Sequence, residues 1–241
     1  MMKLTYEGME NTFGNTGFVE EFDDFEGAAV TLGVIVLDGS TSMDDFESTM
    51  PKYLENSFLK RIKQAQIADR LRLCKVIFTH RIPPNAFERF VSPENLDCSY
   101  QVGGGTAIYS TWVWTRDALF EKMDKMRAQK VRTNAVVYMM TDGRDEHSHE
   151  NNHSLQDGAA AVKDLLKREV ELFYFPFGAS KITAELLGIP DDHIIPMEKT
   201  EAKLKEIYNI ASSSLVSKSQ LINTGLGATS SVPTGIGGVD I

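Results

Sequence analysis

The sequence has few cysteines, no long hydrophobic run and no hydrophobic leader. Two cysteines in 241 residues are too few for the disulfide framework that stabilises many small secreted domains. The longest apolar runs have the length of a strand, whereas a helix that spans a bilayer needs about 20 apolar residues. Residues 1–22 are polar and acidic and lack the apolar segment of a secretory signal. We therefore expect a cytoplasmic protein that does not enter a membrane.

Positive charge is also scarce. Lys and Arg number 25 against 34 Asp and Glu, which gives a net charge of −9. Proteins that bind the nucleic-acid backbone usually carry a basic face, so this balance predicts no nucleic-acid partner. An acidic chain suits cations or basic partners instead. The charged fraction of 24% and the hydrophobic fraction of 42% are ordinary for a soluble globular protein.

Apolar runs of strand length alternate with helical patterns in the middle of the chain. The run at 32–37 is continuously apolar, as expected of a parallel strand covered on both faces. We predict strands at 32–37, 72–78, 87–91, 134–140, 171–177 and 193–196, and helices at 44–69, 107–127, 155–167, 183–187 and 201–216. This alternation predicts an α/β fold: a Rossmann-like, doubly wound, mostly parallel sheet with helices on both faces. The short run at 87–91 is predicted as an antiparallel edge strand.

The composition changes at both ends of this pattern. Residues 1–29 form a polar, acidic lead-in, which we predict as an N-terminal arm. From Ser217 the chain is rich in Gly, Ser and Thr and no hydrophobic period persists, so we predict a flexible tail over 217–241. The predicted folded domain is therefore 30–216.

Three polar segments follow or precede the predicted elements. Asp38-Gly39-Ser40-Thr41-Ser42 follows the first strand, and Thr141-Asp142-Gly143 follows the strand at 134–140. Gly103-Gly104-Gly105-Thr106 precedes the second long helix. Turn and capping chemistry explains each segment taken alone. Ligands of open α/β sheets bind beyond the carboxyl ends of the strands, so the combination predicts a site.

The chemistry of these segments indicates a hard cation. If the two strands are neighbours, Asp38 and Asp142 face each other, and two carboxylates in a small space repel unless a cation or a proton separates them. Ser40, Ser42 and Thr106 add neutral oxygen donors. Oxygen ligands with one or two carboxylates are what Mg²⁺ prefers.

Together these residues resemble the metal-ion-dependent adhesion site (MIDAS) of von Willebrand factor A (VWA) domains. The resemblance covers element order over about residues 30–215, with Thr41 standing where a Gly is common. It implies contact of the metal with Ser40, Ser42 and either Thr106 or a carboxylate, while the other carboxylates act through waters. The implied metal is Mg²⁺, or Mn²⁺ or Ca²⁺, and its implied residues are Asp38, Ser40, Ser42, Thr106 and Asp142.

The resemblance also implies a function. One coordination position would stay open for an Asp or Glu carboxylate of a partner protein, so the chain would be a non-enzymatic, metal-dependent, adhesion-type interaction module. Bacterial cytoplasmic members of the family work in multi-protein assemblies, often beside an AAA+ ATPase, and such a subunit is the implied partner.

Two alternatives remain open at this stage. A Mg²⁺-dependent hydrolase or phosphoryl-transfer enzyme could use the same metal, with Asp44, His80 or His147 as the base, although a Walker A sequence is absent after Gly103-Gly104-Gly105. A scaffold could instead act through its tail, by adding it as a strand to a partner. The His-rich loop at 144–153 could bind a transition metal, but a solvated rim beside the site is the favoured interpretation.

Overall fold

The computed structural model describes residues 29–65, 67–82, 86–87 and 89–224. Residues 1–28 of the predicted arm at 1–29, and residues 225–241 of the predicted tail, lie outside this part, whereas Ala29 is the first residue of β1. The strands are β1 (Ala29–Asp38), β2 (Leu71–Phe78), β3 (Arg132–Thr141) and β4 (Glu171–Pro176). The helices are α1 (Met50–Tyr53), α2 (Lys60–Gln64), α3 (Ile108–Ala128), α4 (Leu155–Lys167), α5 (Ile182–Leu186) and α6 (Glu201–Thr224). A π-helical segment, Leu54–Leu59, joins α1 to α2.

The four strands form one parallel sheet in the order β2-β1-β3-β4. The chain passes from β1 to one side of the sheet and then returns to the other side of β1, so the strand order reverses between β1 and β3. The predicted α/β fold is thus confirmed. The carboxyl ends of β1 and β3 mark the reversal point, which is where open α/β sheets bind ligands.

Alternate residues of the central strands face two separate cores. Val34 and Val36 of β1 belong to the core covered by α3 and α4, whereas Ile35 and Leu37 belong to the core covered by α6 and the segment from α1 to α2. Successive side chains of a strand point to opposite faces. Helices on both faces therefore explain why these strands are continuously apolar.

Two predicted strands, the edge strand at 87–91 and the last strand at 193–196, form only isolated bridges. Val91 forms one antiparallel pair with Leu73, and a 3₁₀ turn at Pro93–Asn95 follows almost at once. The predicted strand at 193–196 runs parallel to β4 through two bridges, Tyr174–Ile194 and Phe177–Met197. Its ladder is interrupted at Pro176, which has no N–H to donate.

Helix α6 is longer than predicted. It continues to Thr224, eight residues beyond the predicted end at Val216, so the predicted tail cannot begin at Ser217. Lys218 is buried; its ammonium lies 3.4 Å from Glu171 Oε2, and its carbonyl accepts a hydrogen bond from Asn134 Nδ2 at 3.2 Å. These contacts stabilise the helix beyond Val216, although the composition there is typical of loops. Within the described residues, no helix combines the length and the apolar character needed to cross a bilayer.

Candidate functional site

Asp38 is the last residue of β1 and is fully buried. Its Oδ1 accepts a hydrogen bond from the backbone N–H of Ser40 at 2.8 Å, and its Oδ2 accepts one from Thr141 Oγ1 at 2.5 Å. Tyr100 donates its hydroxyl to the Asp38 carbonyl. Asp38 is thus fixed by neighbours from three segments, all of them neutral.

The surroundings of Asp38 disfavour its negative charge. Burial raises the pKa of its carboxyl above the ordinary value, and the charge of Asp142 raises that pKa as well. Hydrogen bonds from Thr141 and Ser40 act in the opposite direction and do not cancel the effect of burial. A cation close to Asp38 would favour the charged form.

Ser40, Ser42 and Asp142 form a chain of side-chain hydrogen bonds across the reversal point. The hydroxyl oxygens of the two serines lie 2.9 Å apart. Ser42 Oγ donates to Asp142 Oδ1 at 2.6 Å. Because Asp142 follows β3 and the serines follow β1, this chain joins the carboxyl ends of the two central strands.

The glycine-rich loop at 103–105 lies against the serine loop. Gly103 donates its N–H to the Gly39 carbonyl at 2.7 Å, and Thr41 donates its N–H to the Gly104 carbonyl at 3.1 Å. Gly39 allows this approach, since a Cβ there would lie 2.5 Å from Ile77 Cγ2 and 3.1 Å from the Gln101 carbonyl oxygen. Gly104 adopts φ = 82°, a left-handed conformation that glycine tolerates without strain.

Thr106 follows this loop and lies beside Gly143, on the side that faces Asp38. It is 4% exposed. A Cβ placed on Gly143 would lie 3.1 Å from Thr106 Oγ1 and 3.7 Å from Asp38 Oδ2. Gly143 thus leaves the space in which the threonine hydroxyl and Asp38 come near each other. All five residues predicted for the site therefore meet at one edge of the sheet.

Thr141, which was not among the predicted site residues, connects the two sides of the site. It is buried at the end of β3. Its hydroxyl donates to Asp38 and accepts a hydrogen bond from the Gly143 N–H at 3.1 Å. A polar residue that ends an apolar run is the signal that could have identified it.

Lys199, which was also not predicted, brings a positive charge into the site. Its ammonium lies 2.5 Å from Asp142 Oδ2 and donates to the Ser42 carbonyl. The Asp142 side chain is 5% exposed and that of Lys199 is 28% exposed. Lys199 follows the segment that runs parallel to β4, so a lysine just after a predicted strand was the available signal.

The His-rich loop is ordered against the start of α3. Asp145 accepts a hydrogen bond from the Tyr109 N–H at 3.0 Å, and Ser110 donates its N–H to Ser148 Oγ at 2.9 Å. Ser148 is fully buried. The loop therefore holds the helix N-terminus, whose first N–H groups have no partner within the helix, while Arg144, Glu146, His149, Glu150 and Asn152 are exposed.

The three candidate bases occupy different places. Asp44 is exposed on the 3₁₀ turn Thr41–Phe46. The rings of His80 and His147 lie 5.7 Å apart against Gly104 and Gly105, and His147 Nδ1 is 2.7 Å from Glu150 Oε1. No hydrogen bond joins any of these three side chains, as far as the structure describes them, to Asp38 or Asp142.

The donor set at the reversal point suits a hard cation. It offers carboxylate and hydroxyl oxygens without sulfur or imidazole, which is the ligand chemistry of Mg²⁺, Mn²⁺ and Ca²⁺. Among the described residues, no three His, Cys, Asp or Glu side chains converge as a metal-binding group. A cation here must therefore use the hydroxyls of Ser40, Ser42 and Thr106 as well as the two carboxylates.

Comparison with known proteins places the fold. No family model matches this chain. No curated protein is recognisably similar to it in sequence. Solved structures of similar fold include the pilus adhesin SpaC from Lactobacillus rhamnosus GG in its open conformation, with a TM-score of 0.59 at 11% identity over 79% of this chain. The proximal thread matrix protein 1 from the mussel byssus has a TM-score of 0.55 at 15% identity, also over 79% of this chain.

A third similar structure is described as a vWF domain. The vWF domain of the type V pili tip protein Mfa5 from Porphyromonas gingivalis has a TM-score of 0.50 at 9% identity, and the match covers 85% of this chain and 98% of that domain. The match covers 30% of the SpaC chain and 47% of the mussel protein. At these identities the likeness shows the fold alone, which is VWA-like.

Proposed function

We propose that this chain is a non-enzymatic protein-interaction module whose site binds a divalent cation, Mg²⁺ or alternatively Mn²⁺ or Ca²⁺. The strongest support is the buried carboxylate of Asp38, which lies near Asp142 and is held by neutral donors. The residues that would hold the cation are Asp38, Ser40, Ser42, Thr106 and Asp142. A cation bound there supplies the positive charge that a carboxylate of another protein recognises.

The proposed partner is a protein that presents an Asp or Glu side chain. Ser42 is exposed while Asp38 and Ser40 are buried, so the site has an inner wall and an outer rim that a partner can reach. The similar folds of a pilus adhesin and a pilus tip protein support binding rather than catalysis. The cytoplasmic location and an AAA+ ATPase as partner stay predictions.

Thermal unfolding in the presence of Mg²⁺ or Mn²⁺ tests the cation. A ligand that binds the folded state at 100 times its Kd stabilises by about 2.7 kcal/mol, which for a domain of this size raises Tm by roughly 5–10 °C. Asp38→Ala and Asp142→Ala should remove this response. Asp45→Ala is the matched control, because Asp45 is exposed in the adjacent 3₁₀ turn and should leave the response intact.

Two outcomes would contradict the proposal. One is that divalent cations leave the Tm of the wild-type protein unchanged and give no binding signal in calorimetric titration. The other is hydrolysis of a nucleotide or phosphoester that depends on Mg²⁺ and is lost in Asp38→Ala, which would favour the enzyme. Affinity capture with and without EDTA, followed by identification of the proteins lost, would then name the partner.

A further inference from the structure

The Lys199 ammonium contacts a carboxylate that is also among the residues proposed to hold the cation. Both oxygens of Asp142 are engaged in the structure: Oδ1 accepts from Ser42 Oγ at 2.6 Å, and Oδ2 pairs with the Lys199 ammonium at 2.5 Å. The same ammonium donates to the Ser42 carbonyl. Two of the five proposed cation-holding residues are therefore already in contact with a positive charge that belongs to the chain.

The backbone around Lys199 is built to bring its side chain to this point. The carbonyl of Met197 accepts a hydrogen bond from the Gly178 N–H at 2.6 Å. A Cβ on Gly178 would lie 2.7 Å from Lys199 Cβ, so the glycine leaves room for the lysine stem. The ammonium also lies 5.9 Å from the centre of the Phe46 ring, within the range of a cation–π contact.

Lys199 can leave Asp142 without a rearrangement of the sheet. Its side chain is 28% exposed and has a flexible four-carbon stem. It lies between the bridge at Met197 and the first residue of α6. Rotation of the side chain toward solvent would separate the ammonium from Asp142 and leave the carboxylate to another cation.

We propose that Lys199 is an internal cation that occupies the site when no divalent cation is bound, and that a divalent cation must displace it. This inference rests on the proposed function, since it concerns the same site. Lys199 neutralises Asp142 in the free protein and lowers the affinity of the site for metal. It thereby sets the cation concentration at which the module can bind a partner.

Calorimetric titration with Mn²⁺ tests the competition. Lys199→Met should bind Mn²⁺ about tenfold more tightly than the wild type, a coupling of ordinary size for two ligands that affect each other. Lys203→Met is the matched control: Lys203 lies in the first turn of α6 and pairs with Glu206 at 2.8 Å, away from the site. The two variants change the net charge equally, so a general electrostatic effect would appear in both.

The outcomes separate this inference from the proposed function. Mn²⁺ binding to the wild type with equal or weaker binding to Lys199→Met overturns the role of Lys199 and leaves the cation site standing. Absence of Mn²⁺ binding in both proteins overturns both proposals. Binding by Lys199→Met alone supports both, because Lys199 then blocks the wild-type site completely.

A measurement on the wild type avoids any dependence on the folding of the variant. Brief reaction with an amine-acylating reagent, read out by mass spectrometry, reports how accessible each lysine is. Labelling of Lys199 should rise several-fold when Mn²⁺ saturates the site, and labelling of Lys203 should stay the same. Mn²⁺ binding without any increase at Lys199 would overturn the inference.

Discussion

Thr141 determines how precisely the buried carboxylate of Asp38 is held. Its hydroxyl donates to Asp38 Oδ2 and accepts from the Gly143 N–H. It therefore joins the end of β3 to the end of β1 and also fixes the turn that follows it. A valine of nearly the same shape would leave both partners without their hydrogen bond.

Thr141→Val should therefore destabilise the protein by about 1–3 kcal/mol, the cost of leaving a buried polar group unsatisfied. Urea denaturation measures this. Thr115→Val is the matched control, because Thr115 is also fully buried and its hydroxyl has no hydrogen-bond partner among the described atoms; that variant should be neutral or stabilising. Equal losses in both variants would mean that the hydroxyl of Thr141 has no special role.

The sequence identified those site residues that stand in recognisable positions. Asp38, Ser40 and Ser42 alternate at the end of an apolar run, a spacing that lets a tight turn aim several oxygens to one side, and the segments at 103–106 and 141–143 make this interpretation more specific. Thr141 and Lys199 are single residues with no such pattern. Lys199 approaches Asp142 only because the segment ending at Met197 bridges to β4, a tertiary contact that no local pattern reports.

At the scale of elements, α6 shows where local composition fails to predict the end of a helix. Strand and helix positions in the middle of the chain follow from hydrophobic period, and α4 has the predicted bounds, Leu155–Lys167. Beyond Val216 the period fades, yet the helix continues because Lys218 pairs with Glu171 on β4. A contact between residues far apart in sequence stabilises these last turns, so propensity alone could not predict them.

Lys218→Met should lower the free energy of unfolding by up to about 3 kcal/mol, at the lower end of the cost of breaking a buried ion pair, because it leaves the largely buried charge of Glu171 without its partner. The two side chains are 8% and 14% exposed. Chemical denaturation compares this variant with Lys205→Met, an exposed lysine of the same helix whose loss should change stability by less than about 0.5 kcal/mol. Replacing Glu171 by Leu as well should restore much of the loss.

This pair also changes the test of the scaffold hypothesis. A chain that ends at Ser217 would lose Lys218 and be destabilised, and loss of partner binding could then follow from unfolding rather than from a missing tail. A chain that ends at Thr224 retains all of α6. If this longer truncation recovers the same partners as the full chain, the tail is not the binding segment.

For the whole molecule, some of the acidic residues behind the net charge of −9 occupy defined positions in the fold. Asp38 and Asp142 lie at the reversal point of the sheet, whereas Asp145, three residues after Asp142 in the chain, is engaged at the start of α3 by Tyr109 and Ser148. These aspartates thus divide into carboxylates that could hold a cation and a carboxylate that holds the fold. Composition indicated only that a cation suits this chain, and the division of the carboxylates depends on the folded backbone.

Hydrogen exchange should show this division as a localised response to Mn²⁺. At labelling times of seconds to minutes, loops exchange by local opening while the core remains protected. A cation held jointly by the segments 38–43, 103–106 and 141–143 must be released before any of them opens, so their exchange should slow by about tenfold or more at saturation. The amino ends of β1, β3 and β4, at the opposite edge of the sheet, should keep their rates. Asp38→Ala should abolish the slowing at all three segments together, which would identify the response as that of one site. Protection that appeared at the amino ends instead would place the cation elsewhere in the molecule.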